Sequence, residues 1–290
     1  MDASPATAPT TMDVLETPAA AQRWSGRHRR AGQRIAFVPT MGALHAGHLH
    51  LVDVARQHAP LVVVSIFVNP TQFNQREDFE HYPRPVADDL AACRAAGVDA
   101  VYTPSAATMY PPGFQTFVDP GPLSEPMEGT HRPGHFRGVT TVVTKLFLAV
   151  RPDVAVFGEK DYQQLAIVRR MTADFDFGIQ IVGVPTVREP DGVAMSSRNR
   201  RLSAPERLAA RCIPRALEAA ANAVAGGETR SSWVVNASKR VIAAEPLARL
   251  EYAELCDPAT LERVDEVTGP TLLALAVWVG DTRLIDNRTI

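Results

Sequence analysis

Over the first two-thirds of the chain, short apolar runs alternate with stretches of helical periodicity. Strands are predicted at about 35–39, 61–68, 98–103, 154–158 and 179–187, and helices at about 48–58, 86–96, 136–150 and 161–173. The run Leu61-Val62-Val63-Val64-Ser65-Ile66-Phe67-Val68 is apolar at successive positions, so both of its faces need covering by helices. That rhythm predicts a doubly wound, Rossmann-like α/β domain with a parallel sheet. After Val187 the rhythm changes to two Ala-rich helical stretches at about 204–225 and 230–244, then short strands near 250–256, 271–279 and 282–286. The expected organisation is a Rossmann-like domain over 21–187 and a smaller C-terminal α+β lid domain over 188–290, with a cleft between them. Residues 1–20, rich in Ala, Thr and Pro, read as a disordered tail without the basic start and apolar stretch of a secretory signal.

Composition narrows the field. The chain has 290 residues, with 30 Lys plus Arg against 32 Asp plus Glu. This near balance gives no electrostatic case for nucleic acid. No uninterrupted apolar run is long enough to span a bilayer, so no membrane partner is expected. Cys93, Cys212 and Cys256 are scattered and form no Cys-x-x-Cys pair, which fits a reducing cytoplasm and argues against disulfides or a zinc knuckle. Small-molecule chemistry remains.

In doubly wound sheets, ligands sit beyond the carboxyl ends of the strands, and the polar groups of this chain cluster there: His45 and His48, Asn69 and Gln72, Lys160 and Asp161. The segment from Pro39 to His48 places two histidines and two glycines where a strand turns into a helix. Gly42 and Gly47 let the backbone approach a ligand, the helix's first N–H groups face an anion, and the imidazoles can donate to phosphate. Two histidines without a further Cys or acidic ligand make a poor zinc motif. At the next strand end, Lys160 of Gly158-Glu159-Lys160-Asp161 offers a point charge to a polyphosphate, and Gln164 stands one turn further on. In Met195-Ser196-Ser197-Arg198, two hydroxyls beside a guanidinium suit a mobile clamp over a triphosphate. The long polar connection over 71–85 suggests a gate. Asp88 and Asp89 open the helix after it, where they either complement its dipole or help hold Mg²⁺ through water. The charged residues around His131-Arg132-Pro133-Gly134-His135 read as a solvated turn before a helix offering Val139, Val142 and Val143 as an apolar wall.

In this order, the pieces resemble the pantoate–β-alanine ligase family, the pantothenate synthetases of the nucleotidylyltransferase superfamily. His45-Ala46-Gly47-His48 and Met195-Ser196-Ser197-Arg198 look like the superfamily's two signatures. Pro39-Thr40-Met41-Gly42, Phe67-Val68-Asn69-Pro70-Thr71-Gln72-Phe73 and Phe157-Gly158-Glu159-Lys160-Asp161-Tyr162-Gln163-Gln164 carry the resemblance to the family itself. It implies condensation of pantoate with β-alanine to give pantothenate, the coenzyme A precursor. The route would use ATP and Mg²⁺ and pass through a pantoyl adenylate. By position, Met41, Gly42, Ala43, Leu44, His45, Ala46, Gly47 and His48 would line the ATP site, with His48 as proton donor. Gly158, Glu159, Lys160, Asp161, Val187, Met195, Ser196, Ser197 and Arg198 would complete it. Gln72, Gln164, Asn69, Pro39 and Met41, with the valine wall, would hold pantoate, and Gln72 would also touch β-alanine. A homodimer through the larger domain is implied as well. One departure is Ala46, where many relatives carry an acidic residue. The rival readings are a cytidylyl- or adenylyltransferase of the same superfamily, and a non-catalytic nucleotide-binding relative.

Overall fold

A computed structural model describes residues 12–74 and 76–290. Its first half comprises β1 (Asp13–Leu15), α1 (Pro18–Arg30), β2 (Ile35–Thr40), α2 (Ala46–His58), β3 (Leu61–Ile66), α3 (Arg76–Glu80), α4 (Val86–Ala95), β4 (Ala100–Tyr102) and α5 (Ala106–Met109). There follow α6 (Glu128–His131), α7 (His135–Val150), β5 (Val154–Gly158), α8 (Tyr162–Asp174) and β6 (Gln180–Val184). The last stretch holds α9 (Ala204–Ala209), α10 (Cys212–Ala225), α11 (Ser231–Ala243), β7 (Ala248–Cys256), β8 (Leu272–Val279) and β9 (Thr282–Thr289).

Six strands form a parallel sheet in the order β1-β4-β3-β2-β5-β6. The chain leaves β2 toward β3 on one side and returns to β5 on the other, so a topological switch point lies between β2 and β5. Side chains along β2 alternate between two cores. Ile35 and Phe37 pack with Phe147 of α7 and Leu165 of α8, whereas Ala36 and Val38 pack with Val52 of α2 and Cys93 of α4. This two-sided covering is what the continuous apolar strands require.

The small antiparallel sheet β7-β8-β9 is shared in a similar way. Leu273, Leu275 and Val277 of β8 face the core with α10 and α11, while Leu272, Ala274 and Ala276 pack with Tyr252, Met127 and Ala166. One sheet face therefore belongs to its own helices and the other to the larger α/β layer.

The expected tail needs correction where it is described. Residues 1–11 lie outside the described residues, but Asp13–Leu15 pairs with β4, and α1 begins within the span assigned to the tail. Thr17 caps α1, Pro18 occupies its first turn, and Ala21 and Trp24 are buried. A three-residue edge strand is too short to give an alternating signal, and the alanines of α1 mimic low complexity. The helix expected over 204–225 is broken into α9 and α10 at Ala210 and Arg211. Strand β6 ends at Val184, because Pro185 has no N–H to continue the ladder. Among the described residues, no helix is long and apolar enough to cross a membrane.

Candidate active site

A cavity of about 240 Å³ opens at the carboxyl ends of β2 and β5, where the strand order reverses. Its first wall is the β2–α2 turn. Thr40 Oγ1 donates to Ser65 O at 2.6 Å and accepts from Gly42 N at 3.1 Å, fixing the exit from β2. Gly42 and Ala43 both take positive φ (81° and 49°), so two successive N–H groups face inward toward the protein. The buried Asp89 carboxylate receives those of Ala43 at 2.8 Å and Leu44 at 2.7 Å. A Cβ at Gly42 would stand 2.8 Å from Asp89 Oδ2, so the turn requires glycine there.

Asp88 and Asp89 are therefore corrected as candidate Mg²⁺ ligands. Asp89 is occupied in bracing the turn, Asp88 lies exposed on α4, and neither lines the cavity. Among the described residues, no group of three His, Cys, Asp or Glu is arranged to hold a metal ion.

His45 caps α2. Its Nδ1 accepts from Gly47 N at 3.2 Å, which leaves the Nε2 proton available for a ligand. The ring lies 4.0 Å from that of His48, centroid to centroid, and His48 Nδ1 is buried without a hydrogen-bond partner. Burial, followed by the neighbouring Lys160, lowers the His45 pKa to about 4. Burial, His45 and Lys160 lower that of His48 to about 3. At neutral pH both rings are uncharged donors, which suits a site that must accept a polyanion without first burying two imidazolium charges.

Across the cavity, Lys160 sits in the turn Glu159–Asp161 after β5, with Nζ 3.9 Å from Asp161 Oδ1. The carbonyls of Glu159 and Lys160 accept from Asn287 Nδ2 of β9 at 2.9 and 2.8 Å. The small sheet thus pins the lysine turn, a function that the Asp286-Asn287 stretch did not reveal in the sequence. Arg198 follows Ser196, whose hydroxyl accepts from Arg198 N at 3.3 Å. Its guanidinium meets Asp78 at 3.3 Å, and Arg201 meets the same carboxylate at 3.0 Å. Burial alone would raise the Asp78 pKa, but the two guanidiniums bring it below its ordinary value.

The third wall is the turn Pro70–Gln72 against α7. Asn69 Nδ2 donates to Gln72 Oε1 at 3.0 Å and to Gly138 O at 3.1 Å, and its Oδ1 accepts from Tyr110 Oη at 2.8 Å. Asn69 reaches the cavity, but its amide is used to fix Gln72 and seat the turn on α7. The approach is so close that a Cβ at Gly138 would lie 2.3 Å from Thr71 O. Val139, Val142 and Val143 line the cavity beside Gln72 and Gln164, as expected, and Leu146, Phe67 and Phe157 extend that apolar floor.

Most residues expected from the sequence converge here: Pro39, Met41, His45, Gly47, His48, Gly158, Lys160, Asp161, Val187, Met195, Ser196, Ser197 and Arg198 also line the cavity. Gly42, Ala43, Leu44, Ala46 and Glu159 do not; the first three shape the turn and Ala46 is exposed. Arg132 and His135, read from sequence as a solvated turn, are lining residues. His135 Nδ1 lies 2.8 Å from Gln72 O, and burial with the nearby Arg132 lowers its pKa to about 4. Pro185, Thr186 and Tyr82 were also missed. An Arg-Pro-Gly-His turn directly before an apolar helix was the available signal for the first pair.

A doubly wound sheet with histidine donors, a lysine and an arginine around one cavity at its switch point defines a nucleotide-binding α/β protein that handles phosphate. The chain belongs to the pantoate–β-alanine ligase family, whose profile matches residues 13–289. It is 52% identical to pantothenate synthetase 1 of Bradyrhizobium diazoefficiens over 95% of this chain and 97% of that protein. The pantothenate synthetase of Desulfatibacillum aliphaticivorans is 49% identical over 96% of this chain and 99% of its own length. Among solved structures, pantothenate synthetase from Thermus thermophilus superposes with a TM-score of 0.90 at 44% identity, covering 96% of this chain and 99% of that one. Pantoate–β-alanine ligase from Francisella tularensis, solved with β,γ-ATP and β-alanine, gives 0.78 at 31% identity, covering 96% and 98%.

Proposed function

We propose that this chain condenses pantoate with β-alanine in two steps at the switch-point cavity. In the first, a pantoate carboxylate oxygen attacks the α-phosphorus of ATP. The bond from that phosphorus to the bridging oxygen breaks, and pyrophosphate leaves with the electron pair. In the second, the β-alanine nitrogen, having shed its ammonium proton, attacks the acyl carbon. The acyl carbon–oxygen bond breaks, AMP departs with that pair, and the nitrogen releases one further proton to phosphate or water as the amide forms.

No protein nucleophile is needed, so alignment and charge stabilisation carry the rate. His45 donates through Nε2 and His48 stands beside it, neutral until a triphosphate's charge favours protonation. Lys160 and Arg198 take the phosphate oxygens, with Arg198 exchanging Asp78 for the incoming anion. Gln72 and Gln164 hold pantoate's polar end, and the valine wall takes its branched apolar end. Mg²⁺ fits this donor set as the counter-ion carried by the nucleotide, held mainly by phosphates and water, since the described residues supply no carboxylate cage. A homodimer through the larger domain and a cytoplasmic location belong to the same reading, as does the role of residues 188–290 as a lid.

The convergence of His45, His48, Lys160 and Arg198 with Gln72 and Gln164 on one cavity carries this reading. The test is pyrophosphate release from ATP, Mg²⁺ and pantoate, followed by addition of β-alanine and mass identification of the product. AMP and pantothenate should appear only in the second stage. A product that retains the nucleotide would overturn the ligase reading in favour of a nucleotidyltransferase.

A further inference from the structure

The cavity holds a cation that the two-step scheme leaves without a task. Arg132 lies between α6 and α7, where Gly134, with φ of 80°, lets the chain reverse before α7. Its side chain is only 21% exposed and lines the cavity beside Gln72, His135 and Val139. Burying a guanidinium is costly unless good partners surround it. Those of Arg132 are poor: Glu128 Oε2 at 3.4 Å and Gln72 O at 3.4 Å. Glu128 is already committed elsewhere. It receives Arg283 at 2.6 and 2.9 Å and the Tyr252 hydroxyl at 2.9 Å, all from the small sheet. Arg132 is therefore held in place by a carboxylate that mainly serves another arginine, leaving donors for an anion in the cavity.

Position decides which anion. Lys160 is the cation whose field reaches both His45 and His48, and the phosphate side of the cavity is gathered around it. Arg132 stands instead at the backbone of Gln72 and against His135, on the pantoate side of the cavity, with Arg198 as its cationic neighbour. Of the two substrate carboxylates, pantoate's must lie against the α-phosphorus and is consumed in the first step. The acceptor's carboxylate persists into the product and must be kept away from the reacting carbon while the amine points at it. We propose that Arg132 is the positioning residue for the acceptor's carboxylate, binding it as a guanidinium–carboxylate pair and so selecting an amino acid over a simple amine.

This inference rests on the ligase reading, and its test separates the two. Wild type, Arg132→Gln and Arg132→Lys are each given ATP, Mg²⁺ and pantoate for the pyrophosphate step, then β-alanine or propylamine as acceptor. The measured quantity is the ratio of kcat/KM for the two acceptors within each enzyme, which a general loss of folded protein does not change. Loss of a charge-assisted pair should lower that ratio by about 10- to 100-fold in Arg132→Gln, through KM for β-alanine, with Arg132→Lys intermediate. Pyrophosphate release should change by much less. An unaltered ratio overturns the proposal, whether or not pyrophosphate release has fallen, because Arg132 would then serve the phosphates or the fold. Absence of pyrophosphate release in the wild type would overturn the ligase reading and this inference together.

Discussion

The β2–α2 turn and the seam between α6 and β9 support the same cavity by opposite means. The turn is braced locally, by Thr40 and by one buried carboxylate that receives two backbone N–H groups. The seam is braced across the molecule, by Glu128 in the first layer against Arg283 and Tyr252 in the last. Backbone bracing fixes where an anion can sit. Bracing from the small sheet fixes how the Arg132 side of the cavity and the Lys160 turn stand relative to it. The proposed phosphate site can thus be read from a short segment, whereas the proposed acceptor side depends on residues more than a hundred positions apart, Glu128 and Arg283.

The sharpest way to break the comparison is Glu128→Ala. It strands Arg132 on one long hydrogen bond to Gln72 O and leaves Arg283 with Glu251 alone, so unfolding in denaturant should show a loss of about 3–5 kcal/mol. Burial alone would raise the Glu128 pKa, but hydrogen bonds and charge from Arg283, then Arg132, lower it to about 2. The charged pair therefore persists across the physiological range. A loss below the range expected of a surface pair, about 1 kcal/mol, would show that the seam is not what holds the small sheet. Lys160→Ala comes next: single-turnover pyrophosphate release should fall about 10²- to 10³-fold with the fold intact, as for removal of one preorganised charge-stabilising donor. A wild-type rate would remove Lys160 from the phosphate site. Asp89→Ala should cost about 1–3 kcal/mol by leaving the Ala43 and Leu44 N–H groups unpaired. Its dependence on Mg²⁺ concentration should match wild type; a shifted Mg²⁺ requirement would restore Asp89 as a metal contact.

The same contrast explains what was legible. Strands β2, β3 and β5 show themselves through continuous apolar runs, and the His45–His48 turn through glycines and imidazoles within a few residues, because local geometry demands those residue types. Asp89 was seen but misassigned. An acidic residue in a helix's first turn looks the same in sequence whether it faces solvent, a metal or two distant N–H groups. Arg132 and Asn287 were not assigned, since their roles come from partners that only the folded chain supplies. Strand β1 was lost because three residues at a sheet edge carry no period.

The smallest effect tests whether the two sides share one electrostatic design. His48 is lowered to about 3, and His45 and His135 to about 4, with burial the largest cause in each. Unfolded, each would titrate near 6.5. Between those values the unfolded chain binds protons that the folded chain refuses, so stability rises with pH in that window. The contribution is fully present above about 6.5 and is lost as pH falls toward 4, at up to about 1.4 kcal/mol per pH unit for each deeply buried ring. Thermal unfolding should therefore be nearly flat from pH 8 to 7 and decline progressively below about 6.5. His135→Gln, which keeps a donor for the Gln72 carbonyl, should shallow that decline by one histidine's share. A non-hydrolysable ATP analogue should shallow it differently, by placing negative charge beside His45 and His48, whereas His135 faces Arg132 and the Gln72 carbonyl. If the nucleotide and the substitution act additively, the two walls titrate independently. If the nucleotide abolishes the effect of His135→Gln, the phosphate reaches the acceptor wall, and the separation between the cavity's two sides fails.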